Sequence, residues 1–192
     1  MLRRIAVLAA VLLAPSLAQA ETPVLLDRIV AQIDAYTIYR SDVVARTRPH
    51  VALLAKRNMS NPKRHLELAR QVLDEMIDDK LVEKDCARVH IGVEKHEIEA
   101  AIDEIARSAK TDRATLFASV RAQGFSEETY RAELRRQLME AKWTSFVVRP
   151  RVQAPVTGTE EEKKAAVEAL LTEEKKKLLQ ELRGESFIEV RW

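Results

Sequence analysis

Residues 63–88, KRHLELARQVLDEMIDDKLVEKDCAR, decide the fold. Leu66, Ala69, Leu73, Met76, Ile77 and Leu81 recur at intervals of three and four, which gathers them on one face of an α-helix. At 1.5 Å per residue this helix is about 39 Å long, enough to be the backbone of a domain. The flanking segments should pack against its apolar face.

Upstream, Leu25–Ile33 (LLDRIVAQI) is rich in branched residues and alternates in polarity, the pattern of a strand. Asp34-Ala35 reads as a turn and Tyr36–Tyr39 as a second short strand. Ser41 is the expected N-cap of a helix, with Asp42 favourable in its first turn beside the helix dipole. Pro49 should kink that helix or start a new turn. Asn58–Pro62 is a break before the long helix.

Downstream, Gly92 closes the long helix region, and Ile98, Ala101, Ile102, Ile105 and Ala109 mark a third helix. Thr111-Asp112 opens a fourth, carrying Leu116, Phe117 and Val120 and stopped at Gly124. Ser126 to Thr129 starts a fifth, on which Tyr130, Leu134, Leu138, Ala141 and Ser145 share a face, with Trp143 and Phe146 near its end. Residues 150–159 (PRVQAPVTGT) form the one linker-like stretch. Glu160–Arg183 is helical again, with Val167, Leu170, Leu171, Leu178 and Leu182 as its stripe and Glu160/Lys164 and Glu173/Lys177 as i,i+4 pairs. The last residues, Ser186–Trp192, alternate like a strand with no local partner. The remaining strand-like segments are N-terminal, so the two ends should meet in a small sheet. The expected class is mainly α: a multi-helix core with a sheet made by N- and C-terminal strands.

Composition agrees: 46% of the 192 residues are hydrophobic and 32% charged, but aromatics are only 5% and there are four glycines. Ala, Leu, Glu, Lys and Arg dominate, which favours helix. Arg3 and Arg4, an apolar run from Ile5 to Ala14, and small residues at Ala18 and Ala20 describe a secretory signal peptide over residues 1–20, cut before Glu21. The apolar run is too short to span a bilayer. Cleavage would remove two of 32 basic residues and none of 30 acidic ones, leaving the mature chain formally neutral. Nucleic-acid binding is therefore not expected. Cys86 is the single cysteine, so no internal disulfide forms, and buried filler is its expected role.

The residues that announce common chemistries are missing. His50, His65, His90 and His96 include no i,i+4 pair, so no metal site is expected, and no cofactor loop is present. Asp78-Asp79 and Glu97/Glu99 are paired carboxylates, but in charged amphipathic helices they read as a solvated face rather than catalytic groups. The runs Glu160–Lys164 and Glu173–Lys177 read the same way. An exported helical protein without such motifs points to binding. Phe117, Phe125, Trp143 and Phe146 are the candidate contacts to an apolar partner, with core packing as the competing role of each.

Four segments in order resemble the SurA family of periplasmic chaperones: LDRIVAQIDAYTIYRSDV (Leu26–Val43), ARQVLDEMIDDKLVEKDCARVHIGVEKHEIEAAIDEIA (Ala69–Ala106), GFSEETYRAELRRQLMEAKW (Gly124–Trp143) and LLQELRGESFIEVRW (Leu178–Trp192). The resemblance implies a helical N-terminal domain over residues 21–149, with residues 160–192 returning as a helix and strand to complete the same core. In the family, parvulin-type prolyl isomerase domains lie between these parts; here the linker 150–159 takes that place. The first turn of the family usually carries Asn-Gly, whereas Asp34-Ala35 stands here, an unfavourable pair for positive φ.

The resemblance implies an ATP-independent periplasmic holdase, not an enzyme. Its partners would be unfolded outer-membrane β-barrel proteins or other extended polypeptides. An envelope adaptor that holds one defined partner is the competing reading. The linker neither forbids nor requires a homodimer in which the last helix docks on a second copy.

Overall fold

The computed structural model describes residues 27–153 and 157–191. The signal-peptide residues Ala18, Ala20 and Glu21 lie outside these. Strand β1 (Ile29–Ile33) is central in a three-stranded antiparallel sheet of order β2-β1-β3, with β2 at Tyr36–Tyr39 and β3 at Ile188–Val190. Six α-helices follow β2 in chain order: α1 (Arg40–Lys56), α2 (Pro62–Arg88), α3 (Lys95–Ser108), α4 (Arg113–Ala122), α5 (Glu127–Trp143) and α6 (Glu160–Gly184). The class is mainly α, and the two ends of the chain meet in the sheet.

The helix starts follow capping chemistry. Asn61, Asp112 and Ser126 accept the N–H of Arg64, Thr115 and Thr129 at 2.9, 2.7 and 3.0 Å. Thr159 and Glu162 cap α6 reciprocally. Helix α1 corrects the expected cap: it begins at Arg40, and the Asp42 carboxylate accepts the Tyr39 N–H at 3.0 Å. The Ser41 hydroxyl is taken by Asp27 instead. Pro49 neither ends α1 nor starts a new helix; the helix runs through it to Lys56. Helix α5 passes at Trp143 into a π-turn (Thr144–Val148) and a short 3₁₀ turn (Arg149–Arg151), which carry the chain toward α6.

The turn between β1 and β2 is stabilised from outside. Asp34 alone of the pair takes positive φ, +50°. The Phe187 N–H donates to its carboxylate at 2.9 Å, and Lys84 of α2 is paired with it. A turn short of the usual glycine is thus held by tertiary contacts.

The main core gathers Val30, Ile33 and Ile38 of the sheet, Leu73, Ile77, Leu81 and Cys86 of α2, Trp143 and Val148, and Leu178 and Leu182 of α6. A smaller cluster of Ile102, Phe117 and Leu134 joins α3, α4 and α5. Several residues of the expected stripes are not in the core: Ala109 just beyond α3, Ala141 of α5 and Ser145 just beyond it are exposed, as are two leucines. Leu66 lies in the first turns of α2, ahead of its first buried residue, Val72, and Leu170 in the half of α6 that precedes its buried Leu178; each is 43% exposed.

The pairs expected on α6 also differ. Lys163 bonds Glu160 at 3.2 Å, and Lys177 approaches Glu181 at 4.0 Å rather than Glu173. Glu174 and Lys175 turn inward, to Arg151 and Glu140.

Leu178→Ala is expected to destabilise the protein by about 2–5 kcal/mol, because it opens a cavity in the main core. Leu170→Ala should change stability by about 0.5 kcal/mol or less. Denaturant melts of both variants check the contrast; equal losses would show that α6 packs by another face.

Candidate functional site

Helix α2 carries both the core and the wall of a cleft. Cys86, Leu81 and Ile77 face inward, while Met76 and Val82 line a cavity of about 600 Å³. Ala132 and Met139 of α5, Ile38 of β2 and Leu179 of α6 complete the apolar lining. The volume lies in the range of ligand-binding clefts. Two methionines among the lining residues give it flexible, polarizable walls, which adapt to varied apolar side chains.

The rim carries Arg46, Lys80, Arg135, Arg136 and Lys175 against Glu75, Asp78, Asp79, Glu83 and Glu140, five charges of each sign. Most are spent on one another. Asp79 of α2 takes Arg46 of α1 at 2.6 Å and Arg136 of α5 at 3.2 Å. Arg136 also pairs with Glu133, which raises the guanidinium pKa and lowers that of the carboxylate. Asp78 binds Arg183 of α6 at 2.7 Å, and Lys175 binds Glu140 of α5. The rim therefore fixes the separation of α2, α5 and α6 and projects little net field.

Asp78-Asp79 and Glu97/Glu99 are thus ties between helices rather than a solvated face. Glu97 of α3 accepts Lys142 of α5 at 2.7 Å, and Glu99 accepts Arg131 at 3.0 Å and Arg113 at 2.7 Å. The pKa values of Glu97 and Glu99 lie below the ordinary carboxylate value, first because of the bonds from Lys142 and Arg131.

Below the cleft, α2 and α5 are joined through a buried carboxylate. Asp85 Oδ2 accepts Trp143 Nε1–H at 2.8 Å, and Asp85 Oδ1 accepts Arg88 Nη2 at 2.6 Å. Cys86 beside it is fully buried, and burial, then the charges of Asp85 and Glu83, push its thiol pKa up to about 11. A thiol so placed is filler, not a nucleophile.

The aromatic residues singled out from the sequence are not gathered at this cleft. Trp143 is fully buried, and Phe117 is buried beneath the Arg131 guanidinium, 4.8 Å from the ring centroid. Phe125 is half-buried, and Phe146 on the π-turn is 68% exposed. Sequence reasoning placed Met76 on the apolar face of α2 but missed Met139, Ile38, Ala132 and Leu179 as its companions, because the cleft is assembled from elements far apart in the chain. His90 and His96 are exposed, and no group of three potential metal ligands occurs among the described residues. Nor, among them, is any helix long and apolar enough to cross a membrane.

Comparison with known proteins gives this architecture its family. The SurA-like N-terminal domain matches residues 5–144, so the chain belongs to that family. The chain is similar to chaperone SurA of Chromobacterium violaceum, 28% identical over 86% of this chain and 38% of that protein. It is likewise similar to chaperone SurA of Legionella pneumophila, 30% identical over 72% of this chain and 32% of that protein. The chain thus spans about a third of the length of the curated relatives it matches. A solved structure of a SurA-like chaperone from Campylobacter jejuni aligns with a TM-score of 0.46 at 16% identity, covering 67% of this chain and 45% of that one.

The ties at Asp34, Glu97, Glu99 and Glu133 set a pH dependence. Each carboxylate has a lower pKa folded than ordinary, so its contribution to stability is complete above the ordinary carboxylate pKa and is lost as pH falls through the folded value. The melting temperature should be level from pH 7 to about 5 and fall below about 4.5. Thermal melts from pH 7 to 3 check this; an unchanged melting temperature at pH 3 would show that the ties contribute nothing.

Proposed function

We propose that this protein is an ATP-independent periplasmic holdase that shields unfolded outer-membrane β-barrel proteins in the cleft between α2, α5 and α6, without prolyl isomerase activity. The observation that carries the reading is the cleft: apolar and methionine-lined inside, with a balanced and internally paired rim. Barrel strands alternate apolar and polar residues. In water their apolar faces and open edges associate. A cleft that buries apolar side chains against mobile methionines covers such a segment without reading its sequence, which suits weak binding of many partners.

Membership of the SurA-like N-terminal domain family supports this reading, as do the relatives named as chaperones. The signal-peptide pattern of residues 1–20 supports a periplasmic location. The stretch 150–159 stands where the family resemblance places isomerase domains, and it supports binding without isomerisation.

Light scattering of a diluted, unfolded barrel protein tests the reading. Several-fold excess of the mature protein should suppress scattering, and about 0.15 M salt should not abolish the effect, because the contacts are apolar. Met76→Asp together with Met139→Asp should weaken suppression strongly. No suppression by the unaltered protein would overturn the holdase reading in favour of an adaptor for one folded partner. Acceleration of a proline-limited refolding reaction would overturn the second half.

A further inference from the structure

The sheet has two outer edges, and they are finished differently. In the β1–β3 ladder the Asp34 N–H donates to the Phe187 carbonyl and the Arg191 N–H to the Val30 carbonyl, each at 2.9 Å. Bonded pairs recur at every second residue of an antiparallel ladder. Glu189 therefore turns its main chain toward β1, and Ile188 and Val190 turn theirs outward. Their two N–H and two C=O groups have no partner among the described residues. On β2 the same alternation leaves Thr37 and Tyr39 facing out, but Asp42 takes the Tyr39 N–H and the chain turns at once into α1. The β2 edge is thus cut short at Thr37, whereas the β3 edge offers two outward residues.

The open edge is also apolar and pre-formed. Phe187 is 60% exposed and Val190 51%, on opposite faces of the strand. Glu189 and Arg191 neutralise each other through two bonds of 2.8 Å. Asp34 holds the Phe187 N–H, and Lys84 reaches Ser186 Oγ at 3.0 Å, so the strand is fixed from behind. Edges are usually blunted by proline, inward charge or a covering segment.

We propose that the outer edge of β3 is a second binding site, separate from the cleft, that takes an extended client segment of alternating apolar and polar residues by strand addition. This rests on the holdase reading. Main-chain hydrogen bonds supply affinity without reading sequence, and Phe187 and Val190 offer apolar contact on the two faces. The cleft lies on the β2 side of the sheet, at Ile38, and the open edge on the other side. A long unfolded chain that engages both gains from the linkage of two weak sites. A second copy of this chain is the less suitable occupant, because an edge of three residues buries far less than the roughly 1,200 Å² of a stable interface.

The test uses the mature chain and a blocked heptapeptide of alternating valine and threonine, followed by NMR. Bound peptide should slow amide exchange at Ile188 and Val190. Val190→Pro removes one outward N–H and leaves the β1 ladder intact; it should weaken peptide binding about tenfold with little change in melting temperature. An analogue N-methylated at its three central residues should lose as much against the unaltered protein. Equal binding of the methylated analogue, protection confined to cleft residues, or a dimer that Val190→Pro dissociates would overturn the proposal. If the unaltered protein suppresses aggregation but the peptide does not bind β3, the edge site falls and the holdase reading stands. If the peptide binds β3 and aggregation is not suppressed, the holdase reading falls and the edge remains a strand-binding site.

Discussion

The Asp85 carboxylate is the point on which the helical core turns. It is almost wholly buried, and a buried charge is costly unless donors surround it. Trp143 Nε1–H and the Arg88 guanidinium supply those donors, in short charge-assisted bonds. One acceptor thereby fixes the largest fully buried side chain among the described residues and docks the end of α5 on α2. Loss of Asp85 would leave the buried Trp143 Nε1–H without its acceptor, and loss of Trp143 would take a donor from the buried carboxylate, in either case a heavier loss than the bond itself. With that end docked, Asp79–Arg136 ties the same two helices about two turns earlier, and both residues line the cleft.

Charge has two uses here. About a third of the residues are charged, yet the rim of the cleft is balanced and many of its groups point at one another across helices. Isolated surface ion pairs contribute little, but a network that links α1, α2, α5 and α6 specifies their spacing. The apolar floor then meets solvent between helices that are held apart, so its methionines stay available to a partner instead of collapsing together.

Much of the fold was legible in the sequence because it rests on local rules. The three-and-four spacing located α2, Asp112 and Ser126 announced their helices, and an alternating tail without a local partner required the sheet that β3 completes. What failed depended on neighbours distant in the chain. Ser41 is a good N-cap by type, but Asp27 takes its hydroxyl. Asp34-Ala35 lacks a turn glycine, but Phe187 and Lys84 hold it. Leu66 and Leu170 fit their stripes, yet both are exposed, each N-terminal to the buried residues of its helix. The acidic pairs of α2 and α3 look solvated until Arg136, Arg183, Arg131 and Lys142 arrive opposite them. The cleft was the least legible part, because its floor needs one or two residues from each of four elements and no single segment carries a signature.

A cleft of this kind explains binding only if client chains enter it. A photoreactive amino acid at Met139 places a reporter on its floor, and one at Leu53, exposed on α1, serves as the control. Cross-linking to an unfolded β-barrel protein under illumination is the most direct measurement. Strong adducts from position 139 and weak ones from position 53 are the expected result. Adducts at position 53 alone, or at neither position while aggregation is still suppressed, would contradict the account by showing that clients are held elsewhere on the molecule.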